Sequence, residues 1–111
     1  VKFDLEGSGL EAVMSPWQVE LMRFVWSRGE ADSRAGWEYL QGTDYGMSRA
    51  SVIFFLNDMV DEGFLDFRRE TGKGGYHRVY VPVSGVSDEG GFRRRVAERV
   101  LARLSEFQGE G

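Results

Sequence analysis

The chain of 111 residues has no cysteine and one histidine. Without cysteine there are no disulfide staples, no thiol catalysis, no zinc finger and no thiolate redox sensor. No run approaches eighteen consecutive apolar residues, and the N-terminus, with Asp4 and Glu6, lacks a charged region leading into an apolar stretch. A soluble, cytoplasmic protein is the expectation. What is present is a core-forming composition: 41% hydrophobic residues, with three Trp, four Tyr and eight Phe, against 29% charged. That balance suits one domain, or one domain with a short appendage.

The net charge is −4, and all of the excess acid lies early. Residues 1–47 hold four basic and eight acidic side chains, whereas 48–83 and 84–111 each hold five of either sign. An acidic average argues against strong indiscriminate nucleic-acid binding and leaves room for a local basic patch.

Local signals place the elements. In SPWQVELMRFVWSRG, Ser15 is an N-cap, Pro16 stands at the first helical position, and Gly29 follows Arg28 as terminator. One face of this helix holds Trp17, Leu21, Phe24 and Val25, and a second holds Val19, Met22 and Trp26. Two apolar sides need covering, either by a core plus a partner subunit or by a core plus the chain's own terminal segments. A second, shorter helix capped by Asp32 or Ser33 runs to about Gly42, with Gly36 as its weak point. Ser48 caps a third, whose buried stripe is Val52, Phe55, Leu56, Met59 and Val60, and Gly63 ends it.

The period then changes to two over Phe64–Glu70 and Tyr76–Val83, separated by the turn TGKGG. Gly72, Gly74 and Gly75 serve this turn; a phosphate-cradling loop needs a strand-to-helix context that is missing. Pro82 and SGVSDEGG form a connector, and Phe92–Phe107 returns to helical spacing with Phe92, Val96, Val100, Leu104 and Phe107, widened by Ala97 and Leu101. Its Arg93–Arg95 run reads as a solvated helix face.

Three helices followed by a two-stranded hairpin, with a short turn before the Ser-capped third helix, describe an α+β winged helix-turn-helix. With those residues in view, the stretch from Met14 to Val83 resembles the penicillinase-repressor (BlaI/MecI) family of bacterial repressors. In that family a Trp follows the capping residue by two and a second Trp closes the opening helix before a Gly; Trp17 and Trp26 occupy these places. Its recognition helix, roughly Thr-Thr-Val-x-x-x-Leu-x-x-Leu-x-x-x-Gly, is matched by Ala50, Ser51, Val52, Leu56, Met59 and Gly63. Tyr80, Pro82 and the last helix fit its passage into a helical dimerisation region. The PadR and MarR families share the Val-x-x-x-Leu and Gly features, with different dimer helices.

The resemblance implies a homodimeric repressor bound to operator DNA, with the helix of residues 48–62 in the major groove and the wing of 68–78 on the backbone. It implies residues 1–83 as a DNA-binding domain and 84–111 as connector and dimerisation helix. Copper sensing, which some relatives perform through Cys pairs, is excluded here. The expected DNA-contacting residues are Ser48, Arg49, Ala50, Ser51, Phe54 and Asn57 on the helix, and Arg68, Arg69, Lys73, His77 and Arg78 on the wing. Ala50, Phe54, Asn57, Asp58 and Asp61 are expected to point outward. Phe54 suits a thymine methyl and Asn57 an adenine or phosphate, whereas Asp58 and Asp61 repel the backbone. The expected dimer contacts are Trp26, Phe92, Val96, Val100, Leu104 and Phe107.

A different class of function competes: a winged-helix interaction module that binds protein through Phe54, Ile53 and the acidic end of the same helix. Catalysis is not expected. His77 stands in a strand without a partner for base work, and the pairs Asp61–Glu62 and Asp88–Glu89 sit at helix ends or in the connector. No cofactor or metal is expected either.

Overall fold

The computed structural model describes the backbone of residues 14–72 and 74–109, with side chains through Ser105. The expected place of Lys73 at the wing tip and the side chain of Phe107 therefore lie outside the described residues. The element order is α1 (Pro16–Arg28), β1 (Ala31–Asp32), α2 (Ser33–Gln41), α3 (Arg49–Asp61), β2 (Leu65–Gly72), β3 (Gly75–Pro82) and α4 (Glu89–Gly109).

The caps work as their residue types dictate. At α1 the Gln18 side chain accepts from the Ser15 backbone N–H at 3.1 Å, and the Gly29 N–H closes the far end onto the Val25 carbonyl. Asp32 is the cap of α2: its Oδ1 accepts from the Ala35 N–H at 2.7 Å. Ser48 does the same for α3, accepting from the Ser51 N–H at 3.1 Å. Gly36 in α2 is there for contact: a Cβ on it would stand 2.8 Å from Leu21 Cδ1 of α1. The missing side chain lets the two helices close up.

One strand has no counterpart in the sequence reading. β1 is two residues long, too short to show a period, and pairs Ala31 with Tyr80 and Asp32 with Val79. The sheet is antiparallel in the order β1-β3-β2. β2 and β3 pair along their whole length, from Leu65↔Pro82 to Gly72↔Gly75, so the hairpin turns in two residues.

Leu21, Met22, Leu40, Val52, Leu56, Met59 and Leu65 form the centre of the core, all essentially sealed from solvent. Both apolar sides of α1 are covered from within the chain. Trp17 meets Phe55 of α3 edge-on at 5.4 Å, Phe24 stacks on Tyr39 of α2 at 4.4 Å, and Trp26 packs on Phe92 of α4 at 5.6 Å. Helix α4 begins at Glu89, one turn earlier than the spacing suggested, and the connector and its first turn belong to the core: Val86 before the helix and Phe92 within it are 0% and 2% exposed. Full burial of a Phe side chain contributes about 1.5–3 kcal/mol. A Cβ on Gly91 would collide with the Gly85 carbonyl, which explains glycine where α4 crosses its own connector.

Candidate nucleic-acid interface

Helix α3 packs one side on the core and leaves the other open. Ala50, Phe54, Asp58 and Asp61 are exposed, Phe54 to 76%. Trp17, Gln18, Ser51, Phe54, Phe55 and Asp58 line a shallow groove between this face and the start of α1. At the helix start, Ser48 Oγ donates to Ser51 Oγ at 3.0 Å, and the Arg49 guanidinium lies 5.6 Å over the Trp37 ring of α2.

Asn57 departs from its expected outward place. It is half-buried, and its Oδ1 accepts from Tyr80 Oη at 2.6 Å and from Arg78 Nη1 at 3.1 Å. The side chain joins α3 to the wing. Burial raises the Tyr80 phenol above its ordinary pKa, so this hydroxyl stays a donor at neutral pH.

The strand register sorts the wing's basic residues onto two faces, because paired residues share a side of the pleat. On the face toward α3 lie Phe67, Arg69 and Thr71 with their partners Tyr80, Arg78 and Tyr76. Arg78 stacks on Phe67, its guanidinium carbon 3.9 Å from the ring centroid, and stands directly opposite Arg69. Neither arginine forms an ion pair among the described residues. Like charges placed opposite each other across a sheet are mutually destabilising unless an anion balances them.

The other face carries Arg68 and His77, and it is already balanced. Arg68 donates to both carboxylate oxygens of Glu30, at 3.0 and 2.7 Å, and to Glu70 at 2.7 Å. These hydrogen bonds raise the Arg68 pKa and hold the Glu30 carboxyl below the usual carboxylate range. His77 Nε2 lies 3.7 Å from Asp32 Oδ2. The five-residue basic cluster thus divides into an open pair, a compensated pair, and Lys73 outside the described residues.

Of the residues expected at a dimer contact, Trp26, Phe92 and Val96 pack against the protomer's own core. Val100 is half-buried, and Leu104 is 52% exposed. Helix α4 is tied down near its start and middle: Arg23 of α1 pairs with Glu89 at 2.8 Å, holding that carboxyl below its ordinary pKa, and Arg99 pairs with Glu62 at 3.2 Å while covering Phe64. Beyond these ties the described side chains of residues 101–105 are exposed.

Two exposed side chains were not among the expected site residues. Tyr76, at 79% exposure, lies on the open wing face, and its two-residue offset from Arg78 is the signal that places it there. Leu101, at 63%, continues the stripe of Leu104, and its helical spacing pointed to it. Nothing in the local sequence marked Glu30 as a partner of Arg68. Among the described residues, no three His, Asp or Glu side chains gather as a metal site, and no helix is long and apolar enough to cross a membrane.

No protein-family model matches the chain, and no curated protein matches it. The penicillinase-repressor resemblance therefore has no family match beside it. Solved structures do match. A PadR family transcriptional regulator from Eggerthella lenta DSM 2243 is similar over 85% of this chain and 82% of that one, with 16% identity and a TM-score of 0.53. A protein assigned as a transcriptional regulator in Thermoplasma acidophilum is similar over 85% of this chain and 94% of that one, with 11% identity and a TM-score of 0.54. The fold is a winged helix. At these identities the likeness carries the architecture and not the chemistry.

Proposed function

We propose that this protein is a sequence-specific, DNA-binding transcriptional regulator of the cytoplasm, acting as a homodimeric repressor. The observation that carries the reading is the Arg69–Arg78 pair, two cations facing each other with no carboxylate paired to them among the described residues, on the side of the wing that adjoins the open face of α3. A duplex phosphate supplies the anion this face lacks. In this reading α3 lies in the major groove, Ser48 and Arg49 meet the backbone at the helix start, and Arg69, Arg78 and Tyr76 engage the flanking strand. The similarity to two transcriptional regulators across 85% of the chain supports it. Affiliation with the penicillinase-repressor family rests on the Trp17, Trp26 and recognition-helix motifs alone.

The dimer rests on α4. Leu101 and Leu104, continuing from the half-buried Val100, form an apolar strip on a part of the helix that the described residues leave open, and a two-fold partner buries such a strip against its own copy. Two recognition helices then reach a palindromic site and double the contacts of a weakly basic module. Repression is steric, by occupation of an operator that overlaps a promoter.

The test is capture of genomic fragments on the purified protein at low and near-physiological salt, with sequencing of what stays bound. Recovery of one short palindrome that survives higher salt establishes the reading. Arg49→Ala and Lys73→Ala are each expected to weaken binding and flatten its salt dependence; unchanged slopes remove those residues from the interface. Leu104→Glu is expected to give monomers in sedimentation without loss of fold.

A second reading is favoured by one observation, the 76% exposure of Phe54 beside Asp58. In it, α3 docks a protein segment with an apolar anchor and a basic flank. Random fragments that wash away with salt support this reading over the first.

A further inference from the structure

The polar side chains that α3 offers to a base edge are largely committed elsewhere. The Asn57 oxygen accepts from both Tyr80 and Arg78, which leaves no complete amide edge for the bidentate pairing with adenine. Ser48 and Ser51 bond each other, and Ser48 also caps the helix. Arg49 sits at the first residue of the helix with its guanidinium over Trp37, a position suited to backbone contact. What the open face still presents is Ala50 and Phe54, one helical turn apart, and then Asp58 and Asp61.

A phenyl ring and a methyl group carry neither donor nor acceptor. In the major groove of unmodified DNA the one apolar feature is the thymine 5-methyl group. Asp58 lines the same groove as Phe54 and only accepts hydrogen bonds when ionised. It repels phosphate and the acceptor edge of guanine, and it suits the exocyclic amino group of cytosine or adenine. The charges flanking the open face, Arg49 at one end and Arg69 with Arg78 on the wing, are of the sign that holds a duplex against it.

We infer that α3 reads thymine through its methyl group, with Phe54 as the specificity-determining side chain, Ala50 beside it, and Asp58 selecting an amino-bearing base at an adjoining position. This rests on the DNA-binding reading and names what the helix recognises. Phe54 is 76% exposed, so its removal is expected to leave the fold intact and to isolate recognition.

The experiment begins by selecting bound duplexes from a random pool with the full chain at fixed salt. Each thymidine of the selected site is then replaced by deoxyuridine, which removes the methyl and keeps the pairing, and affinity is measured by fluorescence anisotropy. At one or more positions per half-site the wild-type protein is expected to lose roughly threefold to tenfold in affinity, the scale of one buried methyl group. Phe54→Ala, checked for folding by its melting curve, is expected to bind the thymine and uracil forms alike. Equal wild-type affinity for both forms at every position overturns the inference, and so does a preference that survives in Phe54→Ala, even though DNA binding itself then stands. A pool that yields no enriched sequence at all overturns the DNA-binding reading and this inference with it, and leaves Phe54 to a protein partner.

Discussion

Arg68 and Arg69 are consecutive residues on β2 with opposite electrostatic fates. Arg68 is gripped by Glu30 and Glu70, whereas Arg69 faces Arg78 across the strand pair and meets no carboxylate among the described residues. The pleat sends them to opposite sides of one hairpin, and the described residues neutralise only one side. Counting basic residues near the turn gives five; the field available to a polyanion comes from the side on which nothing answers them. A net charge of −4 is compatible with the proposed DNA binding, because two of the acids of the first part, Glu30 and Asp32, lie on the closed face, where one pairs with Arg68 and the other approaches His77.

The sharpest way to break the comparison is to remove each arginine in turn. Arg69→Ala is expected to weaken operator binding about tenfold, the scale of one charged hydrogen bond, and to lower the salt slope by about one. Arg68→Ala should change affinity by less than about twofold, since its charge is already paired at the surface. Equal losses in anisotropy titrations of the two variants would dissolve the distinction between the faces.

Tyr80→Phe probes the link between the open face and α3. It removes the hydroxyl that donates to Asn57 at 2.6 Å, and is expected to lower stability to urea by about 1 kcal/mol. DNA affinity should fall as well, because Asn57 and Arg78 are no longer held in register. A variant with unchanged affinity would make the Asn57 link structural only.

Glu30→Gln takes away half of the compensation on the closed face. Binding is expected to tighten by about twofold, the size of a released exposed ion pair, with a steeper salt dependence. Stability should respond to pH in one direction. The Glu30 carboxyl is held below its ordinary value of 4.5 in the folded chain, so its contribution is present above that pH and fades as pH falls through the depressed folded value. Melting curves of wild type and Glu30→Gln should therefore differ at pH 6 and converge in strong acid. A difference that grows toward acid would carry the wrong sign for this pairing.

The same contrast between open and closed surfaces runs along α4. Phe92 looked like a dimer contact because it begins the apolar stripe, yet it lies 4.4 Å from Phe64 and seals the core with Trp26. The stripe is continuous in sequence; among the described residues its first turns are covered while Leu101 and Leu104 are exposed. Periodicity reports that a face is apolar, and does not report which neighbour covers it. Asn57 teaches the same for polar groups: its helical position faced outward, and a tyrosine 23 residues away claimed its oxygen.

The sequence by itself determined the three helices, with the Ser15 and Ser48 caps and a choice of Asp32 or Ser33 for the second, the hairpin at TGKGG, the final helix, and from their order the winged-helix class. Those features follow from short-range chemistry: a cap and its acceptor are three residues apart, and a period shows within a few turns. Tertiary structure alone decided that β1 exists, that Asn57 is engaged, that Phe92 is interior, and that Arg68 is silenced by Glu30 across 38 residues of chain. Each of these depends on which distant segments meet, and no local pattern encodes that meeting.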